Sequence, residues 1–584
     1  MNKKVVRREK CEDANLPNIL HPVIKQIYAS RGVSSDQELD LTVAQLAAID
    51  SLKGLPEGCE LAAKHIANGS KITVIGDFDA DGATSTALMM EALSMLGSRN
   101  HDFLVPNRFE YGYGLTPEIV AIAAQQGARL LITVDNGINC IAGVDKAKSL
   151  GLDVIITDHH LPGTQTPNAD AIINPNQHGC GFKSKSLAGV GVAFYFMLAL
   201  RKHLREQAWF SQNNIAEPNI ASLLDLVALG TVADVVSLDN NNRILVEQGL
   251  KRIRAGATRP GIQALIEVAG KNQQQMVASD FGFALGPRIN AAGRLDDMAF
   301  GIQCLLAPDL MTARTMAAEL DALNKARREI EQGMQAEAEI VLKQLKFTEE
   351  NLPFAISLFQ KDWHQGVIGI VAGRLKEKFH RPSIVFAKAN DEEVNDSNEG
   401  EIKGSARSIP GLHIRDLLEY ISGQHPGLIS KFGGHAMAAG LSIKQKDFDA
   451  FSQYFAQYAQ QWLRAEDLEG VIQSDGELPT ADFSLNFAQQ LRDAGPWGQS
   501  FPEPIFDDEF ILVQQRIVGE KHLKIVVEKD GKVFDGIAFN VDIKAWPNAN
   551  AQKVQLAFKL DINEFRNKLN LQLMVEHIVA CEKQ

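Results

Sequence analysis

The sequence predicts an α/β protein of several domains: a parallel-sheet domain, a long connecting helix, a smaller α/β lobe and a C-terminal β-barrel. Three observations predict it. Short β-rich runs alternate with helical ones between 71 and 157, a charged, proline-free stretch of helical spacing fills 312–346, and the apolar period changes to two after about Gly470. At 584 residues the chain exceeds one ordinary core.

In order along the chain, "KITVI" (71–75), "ARLLITV" (128–134) and "LDVIIT" (152–157) are strands. "TSTALMMEALSML" (84–96) and "NCIAGVDKAKSLG" (139–151) are the helices between them, the pattern of a parallel sheet covered by helices. Helices over 194–204 and 221–232 continue the layer. After the 312–346 helix, "PFAISLF" (353–359), a helix around 366–378 and "PSIVFA" (382–387) start a second α/β region, with the polar insertion 390–401 as a solvated turn. In the tail, "VQLAFKL" alternates apolar and polar residues and "EKDGK" supplies the Asp-Gly of a tight hairpin.

Composition excludes some classes of function. With 45% hydrophobic and 22% charged residues the chain reads as globular, and no apolar run approaches the roughly 20 residues of a membrane span. The charged start "MNKKVVRREKCED" lacks the apolar core of a secretory signal. Six scattered cysteines argue against a zinc site or disulfide framework and fit a reducing cytoplasm. The net charge of −13 weighs only weakly against a nucleic-acid partner. A local basic channel can coexist with an acidic exterior, and bound divalent cations would cancel part of the charge.

Each strand of the first region runs into acid or imidazole. "KITVIG" leads to Asp77, Asp79 and Asp81, "LLITV" to Asp135, and "LDVIIT" to Asp158, His159 and His160. Open parallel sheets bind ligands beyond the carboxyl ends of their strands, so these groups share one crevice. In an extended chain, alternate residues point to one side, which would let the first three aspartates converge. Taken singly, each is an ordinary cap or turn residue. Three successive strand ends are not explained that way, because a helix needs only one acidic cap. Five aspartates and two histidines suit Mg²⁺ or Mn²⁺ better than zinc. Two such ions roughly 3.5–4 Å apart activate water and clamp both oxygens of an in-line phosphoryl displacement. Asp234 in "LGTVADVV" reads equally as a structural cap.

The ordered set "DFDAD", "VDNG", "TDHH" and "GTVADVV" resembles the motifs of the DHH phosphoesterase superfamily, and "GGHAMAAG" (433–440) resembles its DHHA1 companion domain. With "PNRFEYGYGL", "GPRINAAGRLDD" and the β-rich tail, the order is similar to the superfamily's single-strand-specific 5′→3′ exonucleases from about Gly54 onward. The resemblance implies an N-terminal extension (1–53), a DHH catalytic domain (54–305), a connecting helix (306–348), a DHHA1 substrate-binding domain (349–465) and an OB-fold-like barrel (466–584). It implies Asp77, Asp79, Asp81, Asp135, His159 and Asp234 as ligands of two Mn²⁺ or Mg²⁺ ions, with Asp158 and His160 orienting ligands or touching the scissile phosphate. The superfamily's small pyrophosphatase branch carries a histidine near the start of its first motif, where this chain has aspartates.

Substrate contacts follow from the same resemblance. "WHQGVIGIVAGRL" (363–375), "KGSARS" and "GGHAMAAG" are read as glycine-rich, anion-binding segments, such as turns opening helices. They offer His364, Arg374, Ser405, Arg407, Gly434 and His435 to a terminal phosphate, although helix packing explains the same glycines. Arg108, Tyr111 and Tyr113 pair a cation with stacking rings, with a glycine-hinged loop as the alternative, and Arg288, Asn290 and Arg294 fit a phosphate-contacting loop or, nearly as well, structural salt bridges. Lys521, Lys524, Lys529 and Lys532 suit a strand path along the barrel. The implied activity is 5′→3′ degradation of single-stranded DNA to 5′-mononucleotides in DNA repair and recombination. A cytoplasmic monomer is implied, with a single-strand-binding protein and a RecQ-type helicase as partners. Cleavage of short RNA or cyclic dinucleotides is the near alternative, disfavoured by the tail. A catalytically dead binding scaffold is disfavoured by the complete set of motif acids.

Overall fold

The computed structural model describes residues 3–11, 15–107, 113–344, 352–389, 400–565 and 568–581. The chain divides into two compact units. One comprises Glu9–Asn324, Glu477–Glu576 and Ala580–Gln584; the other comprises Met1–Arg8, Lys325–Gly476 and His577–Val579. Among the described residues no helix is long and apolar enough to cross a membrane.

In the first unit five parallel strands form one sheet in the order His101–Leu104, Ile72–Ile75, Leu130–Val134, Asp153–Thr157 and Ala171–Ile173. The three central strands are those expected, and they are buried almost throughout, as strands covered on both faces must be. The edge strands were not expected. His101–Leu104 is half-buried along its length and Ala171–Ile173 has three residues, so neither carries an apolar run to announce it. The helix after the first strand spans Ala80–Met95 and begins before the expected 84, because Asp79 caps it by accepting from the Gly82 amide at 3.0 Å. It packs against helices Gly189–Glu206 and Leu224–Ala233 and is buried on nearly every side.

Most of the barrel falls in the same unit. Phe506–Val518, His522–Lys529, Lys532–Ala538, Lys568–Ala580 and Lys553–Phe565 close in that order around Phe506, Phe510, Ile525, Val527 and Phe558. Asp530 and Gly531 take φ of 50° and 75° while Lys529 pairs with Lys532, the two-residue turn expected of Asp-Gly. The connector ahead of the barrel packs under helix Pro22–Ser30, where Tyr28 donates to the Ala494 carbonyl at 2.9 Å.

The second unit has a mixed sheet in the order Lys431–Gly434, Ala438–Lys444, Glu401–Arg407, Ser383–Lys388 and Ile356–Phe359. Along Ser383–Lys388, Ile384 and Phe386 face one core with helices Ile414–Gln424 and Phe448–Trp462. Val385 and Ala387 face another with helix Ile368–Phe379. Lys4–Arg7 pairs in parallel with Val471–Ser474, and the first strand of the barrel starts only at Phe506. The long helix runs unbroken over Leu310–Gln344. Most of the polar insertion 390–401 lies outside the described residues.

Candidate metal centre

From strand Ile72–Ile75 the chain turns to one side for His101–Leu104 and to the other for Leu130–Val134. In open α/β sheets, ligands bind beyond the strand ends at such a reversal. Asp77, Asp79 and Asp81 follow the first strand, Asp135 follows Leu130–Val134, and Asp158, His159 and His160 follow the next strand over. Asp234 arrives as the residue closing helix Leu224–Ala233.

The side chains converge. His159 Nε2 lies 3.0 Å from Asp135 Oδ1, 3.5 Å from Asp234 Oδ2 and 3.9 Å from Asp81 Oδ2. Three ligand sets result, the donor atoms of each within 4.8 Å of one another: Asp77, Asp79 and Asp135; Asp81, His159 and Asp234; and Asp135, His159 and His160. Asp135 belongs to two of them, the place of a carboxylate shared between two cations. Among the described residues, Asp135 Oδ1, His159 Nε2 and Asp234 Oδ2 are buried and make no hydrogen bond. Buried polar atoms are nearly always paired, so three unpaired atoms facing one another fit a cation. The oxygen-rich set with imidazole suits Mg²⁺ or Mn²⁺.

The electrostatics agree. Burial, with repulsion from Asp79, pushes the Asp77 carboxyl up to about 8. Burial also raises Asp81, with repulsion from Asp234 and Asp79; Asp135, with repulsion from Asp81 and Asp79; and Asp234. The first turn of helix Gly189–Glu206 partly offsets this: the Gly189 and Val190 amides donate to the Asp81 carboxylate at 2.6 and 2.9 Å. That approach needs glycine, because a Cβ at Gly189 would lie 2.6 Å from Asp135 Cβ.

Asp158 stands behind the ligands. It is 1% exposed and accepts from the Ile138, His159 and His160 amides at 2.9, 2.7 and 3.0 Å and from His160 Nδ1 at 2.8 Å. With both oxygens engaged it orients the histidines, and the expected contact with a scissile phosphate is not open to it. Burial opposes a charge on His160, yet the hydrogen bond and charge of Asp158 raise that ring to about 9.

The expected substrate residues fare unevenly. Arg108 and Tyr111 lie outside the described residues. Tyr113 is beside the ligands: its hydroxyl donates to the Asp135 carbonyl at 3.1 Å and its ring meets His160 edge-on at 6.0 Å. The expected phosphate loop around Arg288 is instead helix Gly286–Leu295. Arg288 is committed to Asp321 Oδ1 (2.9 and 2.8 Å) and the Ala284 carbonyl, while Asn290 Oδ1 accepts from the Ala80 amide at 2.7 Å. Both serve the fold. In the barrel, Lys529 pairs with Asp508, and Lys524 lies 3.9 Å from Asp535.

In the second unit, "GGHAMAAG" opens no helix. Its residues form the hairpin of Lys431–Gly434 and Ala438–Lys444, with Gly434 at φ 145° and the His435 amide donating to the Ala438 carbonyl. "KGSARS" is strand, and pairing of Ala438 with Arg407 and Gly440 with Ser405 sets the hairpin beside those residues. Glycine and alanine here allow strand pairing, and their spacing lacks the apolar period of a helix. The expected helix opening exists at Ile368–Phe379, where a Cβ on Gly369 would lie 2.9 Å from Ser405 Oγ and 3.0 Å from Arg407 Nη2. His364 Nδ1 accepts from the Gly366 amide in the turn before it. Arg407 donates to Ser405 Oγ and the Ala406 carbonyl, pairs with no carboxylate among the described residues, and has its pKa lowered by burial. Arg374, by contrast, is tied to Glu331 at 2.9 Å and Glu377 at 3.2 Å, which corrects its expected role as a phosphate clamp.

Family models match in the same order as these elements: residues 71–231 match the DHH family, N-terminal domain, 351–461 the DHHA1 domain, and 474–577 the RecJ OB domain. The chain is 56% identical over 574 residues to the single-stranded-DNA-specific exonuclease RecJ of Escherichia coli (strain K12), covering 98% of each chain. The chain belongs to the RecJ family. Crystal structures of Thermus thermophilus RecJ in complex with Mn²⁺ and with Mg²⁺ cover all of it and 80% and 79% of their own chains, with TM-scores of 0.80 and 0.75 at 28% and 26% identity. The RecJ fold and its divalent ions agree with the expected fold class and cofactors.

Two features of the site were not read from the sequence. The Gly189 and Val190 amides were signalled only by "AGVGVAF" opening a helix. Asn136, within "VDNG", is fully buried and donates from Nδ2 to the Ile75 and Val134 carbonyls at 3.2 and 2.9 Å, locking the two strand ends together.

Proposed function

We propose that this chain is a metal-dependent exonuclease specific for single-stranded DNA. It removes 5′-mononucleotides from the 5′ end and serves DNA repair and recombination in the cytoplasm. The observation that carries this is Asp135, in one ligand set with Asp77 and Asp79 and 3.0 Å from His159 Nε2 of the set with Asp81 and Asp234, at the sheet reversal of a RecJ-family chain. Asp77, Asp79, Asp81, Asp135, His159 and Asp234 would hold two divalent ions. When bound, such a pair activates water and neutralises charge on both oxygens of an in-line phosphodiester displacement. The chain's own part is arrangement. Asp158 fixes the tautomer and angle of His160, which donates from Nε2 to a phosphate oxygen of the scissile linkage as the 3′ oxygen leaves.

The amide end of helix Ile368–Phe379, with Ser405 and Arg407, suits a terminal phosphate. A desolvated guanidinium without a carboxylate is offset by an arriving anion. Tyr113 offers a ring to the first bases, and the barrel extends the strand path. Action as a monomer, and contacts with a single-strand-binding protein and a RecQ-type helicase, belong to the same proposal and rest on the family resemblance.

The test is incubation with Mn²⁺ or Mg²⁺ and 5′- or 3′-end-labelled single strands, duplex, and two-nucleotide RNA. Mononucleotides released progressively from the 5′ end of the single strand are expected. Equal attack on duplex, release from the 3′ end, or cleavage of the RNA dinucleotide alone would overturn the assignment.

A further inference from the structure

We propose, on the metal-centre assignment above, that Asn242 is a positioning residue that fixes Asp234 against Asp81 by bonding two loops at once. Asn242 is fully buried in the first turn of helix Asn240–Arg254. Its Nδ2 donates to the Ser186 carbonyl at 2.6 Å and to the Ser237 carbonyl at 2.9 Å. Ser237 follows Asp234 closely in sequence. Ser186 just precedes Gly189, whose amide, with that of Val190, grips the Asp81 carboxylate. One side-chain amide thus spans the two segments that bring Asp81 and Asp234 into the same ligand set. A second tie runs parallel: Ser184 Oγ donates to Asp239 Oδ2 at 2.7 Å, while Asp239 Oδ1 accepts from the Asn242 amide at 2.9 Å.

The loop after Asp234 needs such bracing. Val235 has φ 63° and is 63% exposed, and a β-branched residue in the left-handed region persists only where its surroundings hold it. Asp234 and Asp81 also repel each other across the site. Three bonds hold the far side of the loop: Asn242 to the Ser237 carbonyl, and, to the connector before the barrel, the Leu238 amide to the Gln499 carbonyl at 2.8 Å and Ser237 Oγ with Ser500 Oγ at 2.8 Å. Asn242 touches no ligand atom. Its effect therefore falls on how tightly the ions are held, while the reacting groups keep their chemistry.

The test is Mn²⁺ binding to the metal-free, full-length Asn242→Ala protein, read from the electron paramagnetic resonance of free Mn²⁺, with fold checked by circular dichroism. Groups bonded directly to metal ligands typically contribute 10- to 100-fold to affinity; Asn242 acts one step further out, and a loss near the lower end, about 10-fold, is expected. Turnover should approach the parental value when Mn²⁺ is raised. Asp135→Ala is measured alongside and should not recover. A folded Asn242→Ala protein that binds Mn²⁺ as the parent does overturns the positioning role, provided Asp135→Ala has lost Mn²⁺. If Asp135→Ala also binds as the parent does, the metal-centre assignment itself fails. Should Asn242→Ala not fold, Asn242→Ser is judged by the same affinity, and failure of both to fold overturns the proposal, since Asn242 then serves the whole fold.

Discussion

His159 Nε2 and Asp135 Oδ1 lie 3.0 Å apart, delivered from the ends of adjacent parallel strands. Two neighbouring ligands of an octahedral ion, each at about 2.1 Å, are about 3 Å apart, so this pair is already spaced for a shared cation.

Asp135→Asn keeps the side chain's volume and removes the charge shared by two ligand sets. Cleavage should fall by more than the roughly 100-fold upper range of an outer-shell change, with the melting temperature of the metal-free protein unchanged or raised, because one member of a repelling cluster is gone. Single-turnover rates at saturating Mn²⁺ check the first part and thermal melts the second.

Stability of the metal-free protein should fall as pH rises. Asp77 is raised from 3.8 to about 8 and His160 from 6.5 to about 9. Each group stabilises the fold fully below its unfolded pKa and loses that contribution as pH climbs through its folded one. Both act in the same direction between about pH 6.5 and about pH 8, with His160 alone continuing to about pH 9. Mn²⁺, which binds the ionised carboxylates, should reverse the trend at the alkaline end. Melts with and without Mn²⁺ read this directly, and a metal-free protein more stable at the alkaline end would contradict it.

Gly189→Ala sets a methyl group against Asp135 and drives the helix amides away from Asp81. Mn²⁺ affinity and cleavage should both drop, by about 10-fold or more, while circular dichroism stays native. The same substitution at Gly333 in helix Leu310–Gln344, where a Cβ meets nothing within 4 Å, should leave Mn²⁺ affinity unchanged.

Arg407→Ala should raise KM for 5′-phosphorylated strands and narrow the difference from 5′-hydroxyl strands, since a charge-assisted phosphate contact contributes about 1.5–3 kcal/mol. Arg374→Ala should leave that difference intact, because its guanidinium already answers Glu331 and Glu377. Steady-state kinetics on the two substrates separate them.

Much of the site was legible because chemistry sits where apolar strand runs stop: Asp77, Asp135 and Asp158 each follow a buried run. The manner of convergence was not. Asp79 and Asp81 meet the others through a helix cap and first turn, where an extended chain was expected, since the capping bond of Asp79 draws the helix start forward to Ala80. Arg288 and Asn290 read as phosphate contacts because a sequence shows cations and amides without their partners, here Asp321 and the Ala80 amide. "GGHAMAAG" is ambiguous for a related reason: small residues permit a close strand pair as readily as a phosphate cradle. Asn242 carries no motif at all, and its importance lies in which two loops the fold sets on either side of it.

The most direct test of the metal centre is a Mn²⁺ titration of the metal-free protein on a 5′-labelled single strand, following bound Mn²⁺ and mononucleotide release in the same samples. Two Mn²⁺ ions bound per chain are expected, with release reaching its full rate only as the second is taken up. Full release in the presence of excess chelator, or with Asp135→Ala, would contradict the account.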